Sequence, residues 1–222
     1  MKTRVRLFLL ACLLLTGGRT PARAQNVSLA PVDTAPGYLA VLLINETPFP
    51  GERGWESEAD SKAAMNQILL VLDARLRHIP PRYTQRQVAS VESDELIDIM
   101  TAKGQVEGFF RDDAGRPSTA PRVTTRVDHL LSIASRGSPG TFARLLNHAQ
   151  RLADAYIARF ATAPDLYAAL REISGKPVTG RAYSWMTDVG TFHPGGRFVR
   201  IPDQDEGGLG GNRFFTLQRL QP

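Results

Sequence analysis

The stretch TAPGYLAVLLINE, residues 34–46, decides how the rest of this chain has to be arranged. Between Tyr38 and Ile44 every position is apolar, so a helix here has no polar face and must be covered by other elements. The helix has to end before Pro48, because a proline disfavours helical geometry at the residue before it. It therefore closes on two polar residues, Asn45 and Glu46, at the edge of a buried element.

The start of this helix and the positions of later helices follow from caps and from apolar spacing. Asp33 or Thr34 offers the N-cap side chain, and Pro36 suits the first helical turn. Further along, apolar residues recur three and four positions apart, which is the spacing of one helical face. We expect further helices from Ser57 or Asp60 to the proline pair at 80–81, and at about 93–102, 124–135, 140–160 and 164–173.

The chain changes character after Gly175. Residues 176–222 are rich in glycine and aromatic side chains and show little helical periodicity, and short strands are predicted at Phe198–Ile201 and Arg213–Leu217. The sequence therefore predicts a mainly α fold. We expect a single domain over 35–222, helical over 35–175, with a loop-rich, short-stranded section over 176–222.

The first 24 residues have the order of a bacterial signal peptide. Basic residues from Lys2 to Arg6 precede a nine-residue apolar run over 7–15, and Ala22-Arg23-Ala24 resembles a cleavage site. The run is about half as long as a membrane-spanning helix requires. We expect residues 1–24 to be removed and residues 25–34 to form a flexible lead-in. The protein is then exported to the periplasm or the cell exterior, with no stable membrane anchor.

Removal of the signal peptide changes the charge of the protein. The whole chain has 27 Lys and Arg against 22 Asp and Glu, and five of the cations lie in residues 1–24. The mature chain is then formally neutral, which argues against nucleic acid as a partner, because that binding needs clustered cations. The only cysteine, Cys12, leaves as well, so no disulfide or Cys-metal site is expected.

Glu46 is the most unusual candidate for chemistry. A carboxylate at the C-terminal end of a helix faces the negative end of the helix dipole, and apolar neighbours also disfavour its charged form. Both effects raise the pKa, which is what a general acid near neutral pH requires. Glu52 and Glu56 follow in the next loop and are further candidates, since glycosidases often use two carboxylates. Glu58 and Asp60 are interpreted as acids that complement the first turn of a helix.

Candidate substrate-binding residues lie in the C-terminal section. His193 stands in a glycine-containing loop that permits close approach of a ligand. We expect it to share a groove with the candidate acids, together with Tyr183 and Asn212. The four histidines show no metal-ligand spacing, and no dinucleotide or phosphate-binding motif is present, so no metal and no cofactor are predicted.

Several segments together match a known pattern. LLINE at 42–46 is a short helix that ends in Glu, GERG lies at 51–54, and VLDARL at 71–76 closes an apolar helix. TFH at 191–193 is followed by LGGNRFF at 209–215. This arrangement resembles the bacterial cell-wall hydrolases of the spore-cortex-lytic type, within the lysozyme-like superfamily.

The resemblance implies a lysozyme-like fold and cleavage of the glycan strands of peptidoglycan, as a muramidase or a lytic transglycosylase. One Glu would protonate the glycosidic oxygen, and water or the sugar's own 6-hydroxyl would complete the reaction. Aligning the family's pattern on Glu52 instead gives Glu52 and Glu56 its spacing. The acid is therefore open among three residues, and we favour Glu46 because it alone ends an apolar helix. Two alternatives are a non-catalytic wall-binding or partner-binding protein and an unrelated exported helical protein. The oligomeric state is left open.

Overall fold

Helices and short strands follow one another along the part of the chain that the structure describes. The computed structural model describes residues 27–136, 140–160, 162–187, 193–202 and 209–221, so the expected signal peptide lies outside the described residues. The helices are α1 (Ala35–Asn45), α2 (Glu58–Arg77), α3 (Gln85–Ala89), α4 (Leu96–Thr101), α5 (Pro121–Ser135) and α6 (Gly140–Arg159). The strands are β1 (Phe109–Arg111), β2 (Pro117–Thr119), β3 (Glu172–Ile173), β4 (Lys176–Pro177), β5 (Ser184–Thr187), β6 (Phe198–Arg200) and β7 (Asn212–Leu217).

Helix α1 is the centre of the hydrophobic core, as its sequence predicts. Thr34 is its N-cap, and the Thr34 hydroxyl accepts a hydrogen bond from the Gly37 N–H at 3.2 Å. All residues from Gly37 to Ile44 are buried. They pack against α2, α5 and α6, and the contact with α6 is the most extensive between any two described elements. A helix without a polar face is stable here because three other helices cover it.

The long helices around α1 begin and end at signals in the sequence. Ser57 caps α2 by accepting a hydrogen bond from the Asp60 N–H at 3.1 Å, and α2 ends before the proline pair at 80–81. Glu58 and Asp60 lie in its first turn, as interpreted from the sequence. The lead-in segment also contacts this core, because the Ala30 N–H donates to the Gln150 side chain at 2.8 Å.

The C-terminal section contains a three-stranded antiparallel sheet in the order β5-β7-β6. The middle strand β7 pairs Phe214 with Trp185 of β5, and Phe215 with Arg200 of β6. Both phenylalanines are buried. This sheet brings the end of the chain alongside α1 and α2, which positions β5 next to the end of α1.

The expectation of a mainly α, lysozyme-like fold is wrong. Helix accounts for 43% of the described residues and strand for 14%, and the strands form three small antiparallel sheets. The whole β1-β2 sheet and strand β3 lie within the section 35–175 that we expected to be helical, and β4 directly follows that section. The helical periodicity was interpreted correctly for the long helices, but short paired strands carry too few residues to show a period.

The helix predicted at 164–173 does not form, and local hydrogen bonds explain why. The Asp165 carboxylate accepts a hydrogen bond from the Tyr167 N–H at 2.9 Å, which stabilises a turn in place of a helix. Ser174 and Gly175 then both have positive φ, at 48° and 77°, between the paired strands β3 and β4. Positive φ at both central positions defines the type I′ turn of a tight hairpin.

Candidate active site

Glu46 is the residue immediately after α1 and serves as its C-cap. Its N–H donates to the Leu42 carbonyl at 3.0 Å, which anchors its backbone to the last turn of the helix. Its side chain is partly exposed and is held at both oxygens. The Asn45 amide donates to Oε1 at 2.9 Å, and the Trp185 indole N–H donates to Oε2 at 3.0 Å. The carboxyl group is therefore fixed in one orientation.

Burial raises the pKa of the Glu46 carboxyl above its ordinary value. The hydrogen bonds from Trp185 and Asn45 act in the opposite direction, and so do the charges of Arg126 and Arg122, but the loss of hydration outweighs them. A carboxyl group with this balance binds its proton more firmly than a solvated Glu does. This is the direction of pKa change that the sequence predicts for Glu46.

A surface cleft of about 370 Å³ lies beside Glu46. Its lining residues come from the end of α1, the following loop, α5 and the sheet, and they are Asn45, Glu46, Thr47, Pro48, Glu52, Arg53, Arg126, Thr187 and Gly211. Gly211 has a φ of 71°, and a Cβ there would lie 3.0 Å from both the Gly54 carbonyl oxygen and Pro48 Cγ. A side chain at this position would strain the cleft wall, so glycine is required here.

Glu52 lines the same cleft, but it is held in an ion pair. Arg126 of α5 donates to Glu52 Oε1 at 2.9 Å and to Oε2 at 2.5 Å, and the Phe49 N–H donates to Oε2 at 2.7 Å. The same guanidinium donates to the carbonyls of Ile44 and Thr47 at 2.7 and 3.0 Å. Glu52 and Arg126 therefore connect the end of α1 to the loop after it, and Glu52 has little freedom to act on a substrate.

The structure does not bring Glu56 to the cleft. Glu56 is exposed and directly precedes Ser57, the N-cap of α2. It is not among the residues that line the Glu46 cleft. Of the three candidate acids, Glu46 and Glu52 share the cleft. Of these two, Glu52 accepts hydrogen bonds from a cation, whereas the donors to the Glu46 carboxyl are the neutral Asn45 and Trp185 side chains.

Asn212 lies against Glu46, although it is buried and does not line the cleft. Its side-chain amide donates to the Glu46 carbonyl at 2.8 Å and to the Gly210 carbonyl at 3.3 Å. Because Asn212 begins β7, these bonds tie the sheet to the C-terminal end of α1. Asn212 is thus a positioning residue that holds the backbone of Glu46, and it is not among the residues that line the cleft.

Tyr183 and His193 lie away from the Glu46 cleft. The Tyr183 hydroxyl donates to the His78 carbonyl at 2.7 Å, and this side chain lines a different cavity. His193 is exposed, its Nδ1 accepts from the Gly195 N–H at 2.9 Å, and its ring contacts the Phe215 ring edge-on at 5.0 Å. The two residues before it, 191 and 192, lie outside the described residues.

Trp185 and Arg75 belong to the site and were missed from the sequence. The Arg75 guanidinium lies 5.1 Å from the centroid of the Trp185 ring, and its Nε donates to the Tyr183 carbonyl at 2.8 Å. Burial lowers the pKa of Arg75 to about 10, so the group stays charged at neutral pH. In β5, Trp185 and Thr187 are two positions apart and so lie on one face of the strand, and this period of two was the available signal for Trp185.

Within the described ranges, no group of three or more His, Cys, Asp or Glu side chains is arranged to hold a metal ion. In the same ranges, no helix has the length and apolar character needed to cross a membrane. Comparisons with protein-family models, with curated proteins and with solved structures give no match for this chain. The chemistry of the cleft therefore rests on its own geometry.

Proposed function

We propose that this protein cleaves the glycan strands of peptidoglycan and that Glu46 is the general acid. The observation that carries the proposal is the Glu46 carboxyl, which is fixed by two hydrogen bonds, opens on a cleft and has a raised pKa. A carboxyl group with a raised pKa keeps its proton to higher pH than a solvated Glu does, and it can donate that proton to a leaving-group oxygen.

The chemistry follows from that proton. The protonated Glu46 carboxyl gives its proton to the glycosidic oxygen as the bond between this oxygen and the anomeric carbon breaks. The anomeric carbon is then attacked by water or by the 6-hydroxyl of the same sugar, and the attacking oxygen returns a proton to the Glu46 carboxylate. Hydrolysis and intramolecular transfer both restore the acid, so one carboxyl group serves both reactions.

Glu52 and Arg126 have a supporting role in this proposal. The Arg126 charge lowers the pKa of Glu46, while its pairing with Glu52 keeps the loop against the helix end. The Trp185 indole orients the carboxyl toward the cleft and supplies one neutral donor. The predicted signal peptide supports an extracytoplasmic substrate, since peptidoglycan lies outside the cytoplasmic membrane.

Three matched variants test the assignment of the acid. We expect purified mature protein to release muropeptides from peptidoglycan, Glu46→Gln to release none, and Glu56→Gln to match the wild type. Glu52→Gln should still release muropeptides, but its midpoint of thermal unfolding should be lower than that of the wild type. If the wild type releases no muropeptides, the proposal that the protein is an enzyme is wrong. If the inactive protein still sediments with the cell wall, it is the non-catalytic wall-binding protein. Loss of activity in Glu52→Gln with active Glu46→Gln would assign the acid to Glu52.

A further inference from the structure

A second and larger cavity lies between the C-terminal end of α2 and the last residues of the described chain. Its volume is about 710 Å³, and it shares no lining residue with the Glu46 cleft. Small-molecule sites usually have about 300 to 1,000 Å³, so the space suits a small organic ligand better than a single ion. Its wall carries an unusual concentration of one residue type: Arg77, Arg82, Arg181 and Arg219 all line it.

Two of these arginines are compensated by buried carboxylates. Arg77 is paired with Asp73, which also receives a hydrogen bond from the Tyr156 hydroxyl and contacts His78. Arg181 is paired with Asp165 at 3.0 Å. These two carboxylates are occupied by their partners and leave the positive charge of the other two arginines unbalanced.

Arg82 and Arg219 make no ion pair with any residue that the structure describes. Within the described part of the chain, Arg82 donates only to the neutral carbonyl of Gln221, and both arginines are exposed. Two guanidinium groups on one concave wall repel each other unless an anion lies between them. Counted over the described residues, the cavity wall therefore has an excess of positive charge and of N–H donors.

The backbone conformation of Arg82 is a second, independent indication that this residue has a functional role. The Tyr83 N–H donates to the Pro80 carbonyl at 3.1 Å, and Arg82 has a φ of 72°. Pro81 and Arg82 are thus the central residues of a type II turn, whose third position favours glycine. An arginine in this position costs conformational energy, and residues that bear such a cost often have a functional role.

We propose that this cavity binds a small organic anion through a carboxylate or phosphate group held by Arg82 and Arg219. The planar guanidinium matches the oxygen pairs of both groups, and charge-assisted hydrogen bonds of this kind are the strong ones. The proposal does not depend on the glycan-cleaving function, because binding at this cavity needs no turnover.

Two variants separate binding from folding. Arg82→Gly removes the guanidinium and places glycine where the turn favours it, so it should raise the midpoint of thermal unfolding while it weakens binding. Arg219→Gln removes the second charge from an exposed position. The matched control is Arg86→Gln, because Arg86 is an exposed arginine that pairs with Glu92 and does not line the cavity.

Isothermal titration of the purified protein at low salt measures the binding. The two probes are inorganic phosphate and an N-acetylated dipeptide with a free C-terminal carboxylate, and the tighter probe identifies the source of the anion. We expect at least one probe to bind, each cavity variant to weaken it by about tenfold, and Arg86→Gln to leave it unchanged. If neither probe binds, or if Arg86→Gln weakens binding as much as Arg82→Gly, the proposal is overturned.

Discussion

Replacing Arg126 by methionine tests how the end of α1 is held. The wild-type guanidinium makes four hydrogen bonds, of 2.5 to 3.0 Å, to Glu52, Ile44 and Thr47. Methionine keeps most of the aliphatic volume but removes every donor. The Glu52 carboxylate and the two carbonyls then lose this donor, although Glu52 keeps the hydrogen bond from the Phe49 N–H. The loss occurs at a site where the Arg126 side chain is only 24% exposed.

The size of the effect follows from this partial burial. A hydrogen bond to a charged group contributes about 1.5 to 3 kcal/mol, and one to a carbonyl about 1 kcal/mol. Water that hydrogen-bonds to the groups left without the guanidinium reduces this loss. Water has access to Glu52, whose side chain is 35% exposed, so we expect a net loss of roughly 3 kcal/mol. For a chain of this size, that lowers the midpoint of thermal unfolding by about 6 to 12 °C.

The assay is urea unfolding at pH 7, followed by circular dichroism, with Arg122→Met as the control. Arg122 lies one turn earlier on α5 and pairs with Glu107, but both side chains are largely exposed, at 56% and 88%. An exposed pair of this kind contributes at most about 1 kcal/mol. Arg122→Met should therefore be nearly neutral.

A double-mutant cycle tests whether loss of the ion pair between Arg126 and Glu52 causes the loss of stability in Arg126→Met. Arg126→Met combined with Glu52→Gln should be less destabilising than the sum of the two single variants, with a coupling of about 1 kcal/mol or more. Additive single effects, or equal losses in Arg126→Met and Arg122→Met, would refute the reasoning that Arg126 fastens the loop to the helix.

Three further outcomes follow from the same structure. Tyr38→Phe removes a hydroxyl that donates to a carbonyl of each strand of the β1-β2 hairpin, and we expect it to lose about 1 to 2 kcal/mol in urea unfolding; an unchanged midpoint contradicts this. The pKa of Glu58 is lowered to about 2 by hydrogen bonds from Arg144 and Lys62, so its stabilising effect is present above the unfolded pKa and is lost as pH falls toward 2. Glu58→Gln should thus be less stable than the wild type at pH 7 and equally stable near pH 2. A difference in unfolding free energy that stays constant between pH 7 and pH 2 would contradict this prediction. Trp185→Phe removes a hydrogen bond that lowers the pKa of Glu46, so the high-pH limb of the pH–rate profile should move to higher pH; movement to lower pH argues against Glu46 as the acid.

The parts of the molecule that local sequence determines were predicted well. The caps and prolines around α1 locate its ends, and the spacing of apolar residues locates α2, α5 and α6, because these signals act within a few residues. The position of Glu46 at the end of a buried helix follows from the same local rules. The raised pKa follows from burial, which an all-apolar helix implies.

The rest of the site depends on residues that are far apart in the chain. Trp185 hydrogen-bonds to Glu46 across 139 positions, and Arg126 bonds to Ile44 across 82 positions. The spacing of residues within one segment cannot predict a contact with a residue so far away in the chain. The hairpin at Ser174-Gly175 was missed for a different reason, because its strands have two residues each and its turn chemistry competes with a plausible helical pattern.

The complete burial of α1 has a consequence for the order in which the chain folds. The most extensive partner of α1 is α6, which begins at Gly140, and at usual rates of synthesis α6 leaves the ribosome about 5 to 20 s after α1. During that time the continuous apolar segment of α1 lacks its most extensive partner. Folding of the core must then wait for the C-terminal half. The same delay keeps the core incompletely folded until the C-terminal half has been made.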